Sequence, residues 1–190
     1  EGASRIAGAD ASAFESAFPR LTSPWLNEHP KLSVIMCGMV GSRHGWREAP
    51  YLDCPALLAE LHRGAVSPAA HLSAPTRILP GVALKSDPTF DVMRGEETQV
   101  CGLLAKMPEL SALCTVVLPG THSKWVRVRD GVIQSFRTYM TGEMFELMLQ
   151  HSVLRLQLVQ DQTFDHVAFE QGLADAQHAH DRGLAAKLFA

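Results

Sequence analysis

Short blocks of apolar residues, separated by polar turns, run along most of this 190-residue chain and predict strands and helices in mixed order. Lys31 to Met39 (KLSVIMCGM) is apolar and β-branched over too few residues for a typical helix, which predicts a buried strand. Thr76 to Val82 predicts a second short strand. From Ala9 to Phe18 the apolar residues recur at helical spacing, so we expect a helix that ends at Pro19. The pattern therefore indicates an α/β fold.

The strongest local signal is a hairpin between Val116 and Phe136 (VVLPGTHSKWVRVRDGVIQSF). Asp130-Gly131 lies between alternating apolar residues, and this dipeptide favours a two-residue hairpin turn. The segment before it, from Pro119 to Lys124, gathers backbone donors, hydroxyls and an ammonium where the first strand ends. An anionic phosphoryl group needs such donors, so the segment predicts a phosphate-binding turn of the kind a kinase uses.

The remaining segments show weaker patterns of apolar and polar residues. Pro55 to Gly64 favours a short helix, and Ser86 to Met93 is expected to be a polar loop. Gly95 to Lys106 has apolar residues at helical spacing, so the acidic pair Glu96-Glu97 falls in a first helical turn. A further helix is expected to begin at Thr141, and residues 165–190 read as helix without strand signals.

Composition excludes several classes of protein. The chain is 46% hydrophobic and 19% charged, which is typical of a globular domain with one sizeable core. Its net charge of -3 and scattered basic residues argue against nucleic acid as a partner. No apolar run approaches the roughly 20 residues of a membrane span, so we expect no membrane partner and a cytoplasmic protein. The four cysteines lack CxxC spacing, and no metal-ligating residues are assigned.

Two clusters could carry chemistry. In Arg94-Gly95-Glu96-Glu97 a carboxylate could accept a proton from a substrate hydroxyl while the arginine holds an anionic group. Acids at a helix start also commonly just complement the helix dipole. In the segment from Gly120 to Lys124, Gly120 would let phosphate approach the backbone, and the candidate donors are Thr121, Ser123 and Lys124. The alternative is an ordinary tight turn, and the spacing is not that of a Walker P-loop.

A third cluster offers hydroxyls and aromatic faces of the kind that line a sugar pocket. It comprises Gly41, Ser42, Trp46 and Tyr51. The alternative is that Trp46 and Tyr51 pack in the core, which aromatic residues do more often. The stretch Thr141-Gly142-Glu143 could add a polar group, although a helix cap explains it more economically.

In four separated strings the chain resembles the 2-dehydro-3-deoxygalactonokinase family. The members of this family are sugar-acid kinases of the actin-hexokinase superfamily. The strings are VIMCGMVGSRHGWREAPYLDCPA (34–56), DVMRGEETQ (91–99), LPGTHSKWV (118–126) and FRTYMTGE (136–143). The resemblance implies an α/β fold of the actin-hexokinase, ribonuclease H-like type, with ATP bound in a cleft between two lobes.

The resemblance also implies a reaction and a set of roles. ATP, with Mg²⁺, would phosphorylate the 6-hydroxyl of 2-dehydro-3-deoxy-D-galactonate in galactonate breakdown; a gluconate derivative differs by one hydroxyl configuration and stays open. Glu96 is expected to be the base, with Glu97 its close competitor. Phosphates would be held by Gly120, Thr121, Ser123 and Lys124, and the sugar acid by Gly41, Ser42, Trp46, Tyr51 and Arg94.

The resemblance covers an internal part of the family pattern. Members of the family begin with a DxGST-like motif and end with a second glycine-rich region that binds adenosine. This chain shows neither: nothing before Ser33 has the DxGST form, and the second region is not found. We therefore expect an incomplete two-lobed kinase that is poorly soluble or inactive alone. Residues 1–90 would be the sugar-lobe portion, and 91–190 the catalytic loop, phosphate hairpin and following helices. The alternative is a non-catalytic sugar-acid binding or interaction module.

Overall fold

The structure is a computed structural model that describes residues 11–69, 72, 74–86, 88–157 and 164–177. The chain forms two compact units, residues 1–145 and 146–190. In the first unit the elements are α1 (Ala11–Glu28), β1 (Val34–Met36), β2 (Tyr51–Asp53), β3 (Ala56–Leu57), β4 (Thr76–Ile78), β5 (Gly81–Ser86), β6 (Thr89–Met93), α2 (Glu96–Lys106), β7 (Leu113–Leu118), β8 (Ser123–Arg129), β9 (Val132–Tyr139) and the start of α3 (Thr141–His151). Short 3-10 turns cover Gly38–Gly41, Leu58–Gly64 and Pro108–Ser111.

Three small sheets make up the first unit. β1 pairs with β4 in parallel. β5 lies between β2, to which it is parallel, and β6, to which it is antiparallel. The third sheet is antiparallel and has the order β3-β9-β8-β7. This mixture of helices with parallel and antiparallel strands confirms the predicted α/β class.

The hairpin of β8 and β9 follows the predicted alternation. Asp130 and Gly131 both have positive φ, 52° and 70°, which is the geometry of a two-residue turn between strands. Along β8 the side chains of Lys124, Val126 and Val128 are buried, whereas the intervening residues are exposed. Because side chains alternate between the two faces of a strand, Lys124 lies on the inner face with the two valines.

Two apolar clusters hold the unit together. The larger joins β3, β5, β6, α2 and the β7-β8-β9 strands through fully buried side chains such as Val82, Val100 and Ile133. The smaller joins α1 to the segment after β1, where Phe14 and Phe18 pack against Trp46. The larger cluster contains Met93 and Val100, which flank the acidic pair, and the smaller contains Trp46. Core packing therefore positions both of these candidate segments.

Three local predictions were wrong. Pro19 does not end α1, which continues to Glu28 through Pro19 and Pro24; buried residues on both sides of Pro19, namely Phe18 and Thr22, keep the helix together despite the missing N–H. Residues 86–93 are not a loop, because β6 pairs with β5 from Thr89 to Met93. Residues 55–64 begin as β3 and continue as a 3-10 turn rather than an α-helix.

In the second unit the described elements are helical: the end of α3, a 3-10 turn at Val153–Gln157, and α4 (His166–Gln177). The helix predicted for residues 165–190 is confirmed as far as Gln177, and residues 178–190 lie outside the described part of the chain. None of the helices in the described ranges is both long enough and apolar enough to cross a bilayer.

Candidate active site

The junction between β6 and α2 carries the two predicted acids. Gly95 has a φ of 113°, a conformation that side chains disfavour, and an added Cβ there would lie 3.2 Å from the Cα atom of Gly38. The glycine therefore permits both the sharp change from strand to helix and the close approach of the segment that follows β1. The backbone then enters α2 directly at Glu96 and Glu97.

Glu97 points into the protein. Glu97 is 0% exposed, and its two carboxylate oxygens share the Gly95 N–H, each at 2.8 Å. The Thr98 hydroxyl donates to the same carboxylate at 3.2 Å. Burial raises the pKa of Glu97 above its usual 4.5, the backbone and Thr98 hydrogen bonds oppose the rise, and the neighbouring charge of Glu96 adds to it. Glu97 thus caps the start of α2 from within.

Glu96 points the other way. Its side chain is 25% exposed, and one carboxylate oxygen, Oε2, accepts the Arg94 N–H at 3.0 Å. The other oxygen, Oε1, lies 4.0 Å from the ammonium of Lys124. Of the two neighbouring acids, Glu96 is the one whose carboxylate a ligand can reach.

Lys124 lies beneath this carboxylate rather than out on the β7-β8 turn. The residue is 5% exposed, and its ammonium donates to the carbonyl of Val92 at 3.0 Å and to the hydroxyl of Thr138 at 2.8 Å. The Thr138 hydroxyl in turn donates to Asp91 at 2.7 Å, and Asp91 also accepts the Thr138 N–H at 2.8 Å. This chain of bonds ties β6, β8 and β9 together next to Glu96.

Arg94 holds the segment before β2. Its Nη2 donates to the carbonyl of Ala49 at 2.8 Å, its Nε donates to the hydroxyl of Tyr51 at 3.3 Å, and its guanidinium lies 4.1 Å from the centre of the Tyr51 ring. An added Cβ on Gly41 would lie 3.1 Å from Nη1, so the glycine leaves room for the guanidinium. Among the described residues, no carboxylate lies within ion-pair distance of this cation.

Three side-chain polar atoms are buried without a hydrogen-bond partner in the described ranges: the Ser42 hydroxyl, the indole nitrogen of Trp46 and Nη1 of Arg94. Buried polar groups are nearly always hydrogen-bonded, so such a grouping needs an explanation. All three belong to the residues predicted to meet the sugar acid. The Trp46 ring itself is 7% exposed and packs between Phe14 and Phe18, so it contributes to the core whatever else it does.

The β7-β8 turn, residues 119–122, is exposed and lies against the start of α3. The N–H groups of Gly142 and Glu143 donate to the carbonyls of Gly120 and Thr121, at 3.3 and 3.0 Å. The Thr141 hydroxyl bonds to the Ser123 hydroxyl and donates to the Gly120 carbonyl at 3.3 Å. Of the predicted phosphate donors, Gly120 and Thr121 are exposed on the turn, whereas the side chains of Ser123 and Lys124 are buried and already bonded.

The four strings singled out in the sequence converge in space. Arg94 joins the first string to the second, Lys124 joins the second to the third, and the start of α3 joins the third to the fourth. The structure therefore brings Glu96, Lys124 and Arg94 to one junction and gathers the turn residues beside α3. In the described part of the chain, no direct bond joins Ser42 or Trp46 to the turn.

Three residues that take part in these contacts were not singled out from the sequence: Asp91, Thr138 and Ala49. Asp91 had a usable signal, since it lies inside the string DVMRGEETQ, three residues before Arg94. Thr138 lies on β9 opposite Lys124, but a count from the Asp130-Gly131 turn would have given Arg137, because a register shift between Arg127 and Val128 places one extra residue on β9. Nothing in the sequence marks Ala49, because its contribution is a backbone carbonyl.

The described residues contain no group of three or more His, Cys, Asp or Glu side chains placed to hold a metal ion. Magnesium is commonly bound through one or two carboxylates plus substrate phosphates, without a dedicated protein cage. The described residues therefore supply no protein-built cage for magnesium.

This part of the α/β fold offers an accessible carboxylate at a helix start, an arginine without a carboxylate partner among the described residues, and an exposed turn between two strands. The whole chain, residues 1–190, matches the 2-keto-3-deoxy-galactonokinase family, and the chain belongs to that family.

Curated relatives agree with this assignment. The Rhizobium meliloti (strain 1021) protein "Probable 2-dehydro-3-deoxygalactonokinase DgoK1" is 44% identical over 133 residues, which are 70% of this chain and 42% of that protein. The 2-dehydro-3-deoxygalactonokinase of Escherichia coli (strain K12) is 40% identical over 153 residues, or 80% of this chain and 48% of that protein. The chain thus spans about half the length of the curated relatives it matches.

A solved structure supports the fold as well. The crystal structure of a candidate 2-dehydro-3-deoxygalactonokinase from Sinorhizobium meliloti superposes with a TM-score of 0.71 and 38% sequence identity, covering 82% of this chain and 50% of that one. The resemblance to this kinase family is confirmed, and the likeness agrees with the actin-hexokinase type of fold.

Proposed function

We propose that this chain belongs to an enzyme that transfers the γ-phosphoryl group of ATP to the 6-hydroxyl of 2-dehydro-3-deoxy-D-galactonate in galactonate catabolism. The observation that carries the proposal is the convergence of the four family strings on the β6-α2 junction and the β7-β8 turn. The names of the relatives support the same reaction and give no support to a non-catalytic binding module.

Glu96 is the general base in this proposal, and Glu97 is a structural cap. A base has to come within hydrogen-bond reach of the substrate hydroxyl, and of these two acids Glu96 is the one with an accessible carboxylate. Glu96 takes the proton of the 6-hydroxyl while the sugar oxygen bonds to the γ-phosphorus. The bond from that phosphorus to the bridging oxygen breaks, and ADP leaves with the bonding pair.

Arg94 orients the sugar acid by its carboxylate. The partly buried guanidinium has no carboxylate partner among the described residues, which favours an anionic ligand, and its stacking on Tyr51 fixes the plane in which it can donate. Gly41, Ser42, Trp46 and Tyr51 complete the proposed sugar-acid site. For Ser42 and Trp46 the supporting observation is that a polar side-chain atom of each is buried without a hydrogen-bond partner among the described residues, as is Nη1 of Arg94.

The β7-β8 turn binds the phosphates of ATP. Its exposed Gly120 and Thr121 are available to a ligand, and Ser123 supports the turn from beneath through Thr141. Lys124 adds positive charge below Glu96, where it would attract the transferring phosphoryl group. ATP enters with Mg²⁺ in this proposal, and the ion supplies charge neutralisation on the phosphates when bound.

The division of labour along the chain follows from these roles. Residues 1–90 supply the sugar-lobe portion, and residues 91–190 supply the catalytic loop, the phosphate hairpin and the helices after it. A small anionic metabolite and ATP as substrates fit a cytoplasmic location for the protein.

The test is a coupled ADP-release assay with 2-dehydro-3-deoxy-D-galactonate, ATP and Mg²⁺. We expect Glu96→Gln to lower kcat by a factor on the order of 10² to 10⁴, the usual contribution of a general base. The matched control is Glu97→Gln, which changes the adjacent carboxylate and should retain most of the turnover at neutral pH.

A Glu97→Gln loss as large as that of Glu96→Gln would move the base to Glu97. Absence of turnover in the unmodified chain, combined with undetectable binding of both substrates in a calorimetric titration, would contradict the proposed function for this chain.

A further inference from the structure

The start of α3 holds the β7-β8 turn by its carbonyl groups. We use the name α3 clamp for the contacts of Thr141, Gly142 and Glu143 with residues 120–123. Within it, the Gly142 and Glu143 N–H groups donate to the carbonyls of Gly120 and Thr121 at 3.3 and 3.0 Å. The first N–H groups of a helix have no partner inside the helix, so these bonds satisfy α3 and immobilise the turn together.

Fixing the carbonyls also fixes the direction of the amide hydrogens. A trans peptide unit is planar, and its N–H points opposite to its C=O. The Gly120 carbonyl shares a peptide unit with the Thr121 N–H, and the Thr121 carbonyl shares one with the His122 N–H. Both N–H groups are therefore aimed away from α3, and neither donates to an acceptor in the described ranges.

The clamp works only if α3 comes very close to the turn. An added Cβ on Gly142 would lie 2.7 Å from the Gly120 carbonyl oxygen and 2.9 Å from the Thr121 Cα atom, distances that real Cβ atoms do not show. Both neighbours are backbone atoms and cannot rotate away. Any side chain at position 142 would thus push the turn and the helix apart.

Side chains fasten the same contact on either flank. The Ser123 and Thr141 hydroxyls are hydrogen-bonded to each other, and the His122 imidazole pairs with the Glu143 carboxylate. The carbonyls of Gly120 and Thr121 and the side chains of His122 and Ser123 are thus all bonded to the first turn of α3, so the direction of the N–H groups between them is set before a ligand arrives. Such preorganisation lowers the ordering cost of binding.

We propose that the backbone N–H groups of Thr121 and His122 are the phosphate donors of this turn, and that Gly142 is the positioning residue that aims them. The inference rests on the proposed function of the turn and adds its donor atoms and the residue that controls their direction. Gly142 touches no substrate and acts through the backbone of residues 120 and 121.

The experiment is an amide NMR titration of the 190-residue chain with ATP, read at the Thr121 and His122 resonances. In the unmodified chain we expect these two amides to show large shifts that saturate with ATP. In Gly142→Ala we expect the apparent affinity to fall by about tenfold or more, a loss of about 1.4 kcal/mol. Gly102→Ala is the matched control, since a Cβ at that helical glycine meets nothing within 4 Å, and its affinity should stay within about twofold.

If Gly142→Ala does not fold, as judged by its amide spectrum, Thr141→Val takes its place. It deletes the hydroxyl bonds to Ser123 and Gly120 and should also weaken ATP binding. Equal affinity in the clamp variants and the control would overturn the positioning role while leaving the kinase proposal intact. ATP shifts at other amides but not at Thr121 and His122 would overturn the donor assignment, and no shifts at any amide would overturn the proposed ATP site together with this inference.

Discussion

The β6-α2 junction and the β7-β8 turn serve the same proposed reaction but are built in opposite ways. At the junction, buried side chains determine the geometry: Lys124 and Asp91 bond through Thr138, and Glu97 caps the helix from inside. At the turn, backbone groups determine it, because carbonyls of the turn accept N–H groups of α3. The junction should therefore be sensitive to the loss of functional groups, and the turn to the addition of atoms.

Replacing Asp91 is the substitution that we expect to destabilise the junction most. Its carboxylate accepts the N–H groups of Val92 and Thr138 and the Thr138 hydroxyl. Asp91→Ala should lower the free energy of unfolding by about 2–4 kcal/mol, since hydrogen bonds to a charged group contribute roughly 1.5–3 kcal/mol each and are not additive. Urea unfolding followed by circular dichroism measures the change.

The matched control for Asp91 is Asp53→Ala. Asp53 pairs with Lys85 at 2.8 Å, but both side chains are 56% exposed. Exposed ion pairs contribute about 0–1 kcal/mol, so this variant should be nearly as stable as the original. Equal losses in the two variants would show that the buried network adds nothing beyond an ordinary surface pair.

Adding a methyl group should separate the two regions in a second way. At Gly142 the new Cβ would meet backbone, whereas at Gly41 it would meet side-chain atoms of Ile78, Arg94 and Ala49, the nearest at 2.8 Å. We expect Gly142→Ala to lower the free energy of unfolding by about 1–3 kcal/mol, and Gly41→Ala by less, because the two nearest atoms there, on Ile78 and Arg94, can move by side-chain rotation. Thermal unfolding of both variants tests the order.

The control for these substitutions is again Gly102→Ala, inside α2. With open space around its Cβ, alanine should raise stability by about 0.5–1 kcal/mol through its better helix propensity. A larger loss for Gly41→Ala than for Gly142→Ala would contradict the view that the turn is the region held by backbone.

The smallest expected effect concerns the pH dependence of stability. Because burial raises the pKa of Glu97 in the folded protein, the folded state holds the proton of the Glu97 carboxyl more tightly than the unfolded state does. The resulting stability is present below the ordinary pKa of 4.5 and is lost as pH rises through the raised pKa of the folded state. The unmodified chain should therefore lose unfolding free energy relative to Glu97→Gln as pH rises from 4.5.

Urea unfolding of both chains between pH 4 and pH 8 measures this difference. A gap between them that stays constant across the range would mean that the Glu97 carboxyl titrates alike in the folded and unfolded chain, and that its burial does not matter to the junction.

The sequence predicted the elements whose signals are local. Asp130-Gly131 marked the hairpin because two-residue turns with positive φ strongly favour this dipeptide, and the spacing of Val100, Leu103 and Leu104 marked α2. The end of α1 was predicted wrongly at Pro19. A proline is a local signal in the sequence, whereas the packing of Phe14 and Phe18 against Trp46 is a tertiary contact that the local sequence does not show.

The site was predicted in part for the same reason. The strings located both regions, but the side chosen by each residue depended on packing. Lys124 shares the inner face of β8 with Val126 and Val128, so simple alternation would have placed its ammonium inside the protein. Glu96 and Glu97 could not be separated from the sequence, because their difference is which way each side chain leaves the first turn of α2.

We propose that the two regions bind different substrates: the junction binds the sugar acid, and the turn binds ATP. The most direct measurement is calorimetric binding of each ligand separately to the unmodified chain and to Arg94→Ala, which removes the unpaired cation. We predict that affinity for 2-dehydro-3-deoxy-D-galactonate falls by at least about tenfold while affinity for ATP stays within about twofold. Unchanged sugar-acid affinity, or an equal loss for both ligands, would contradict the account.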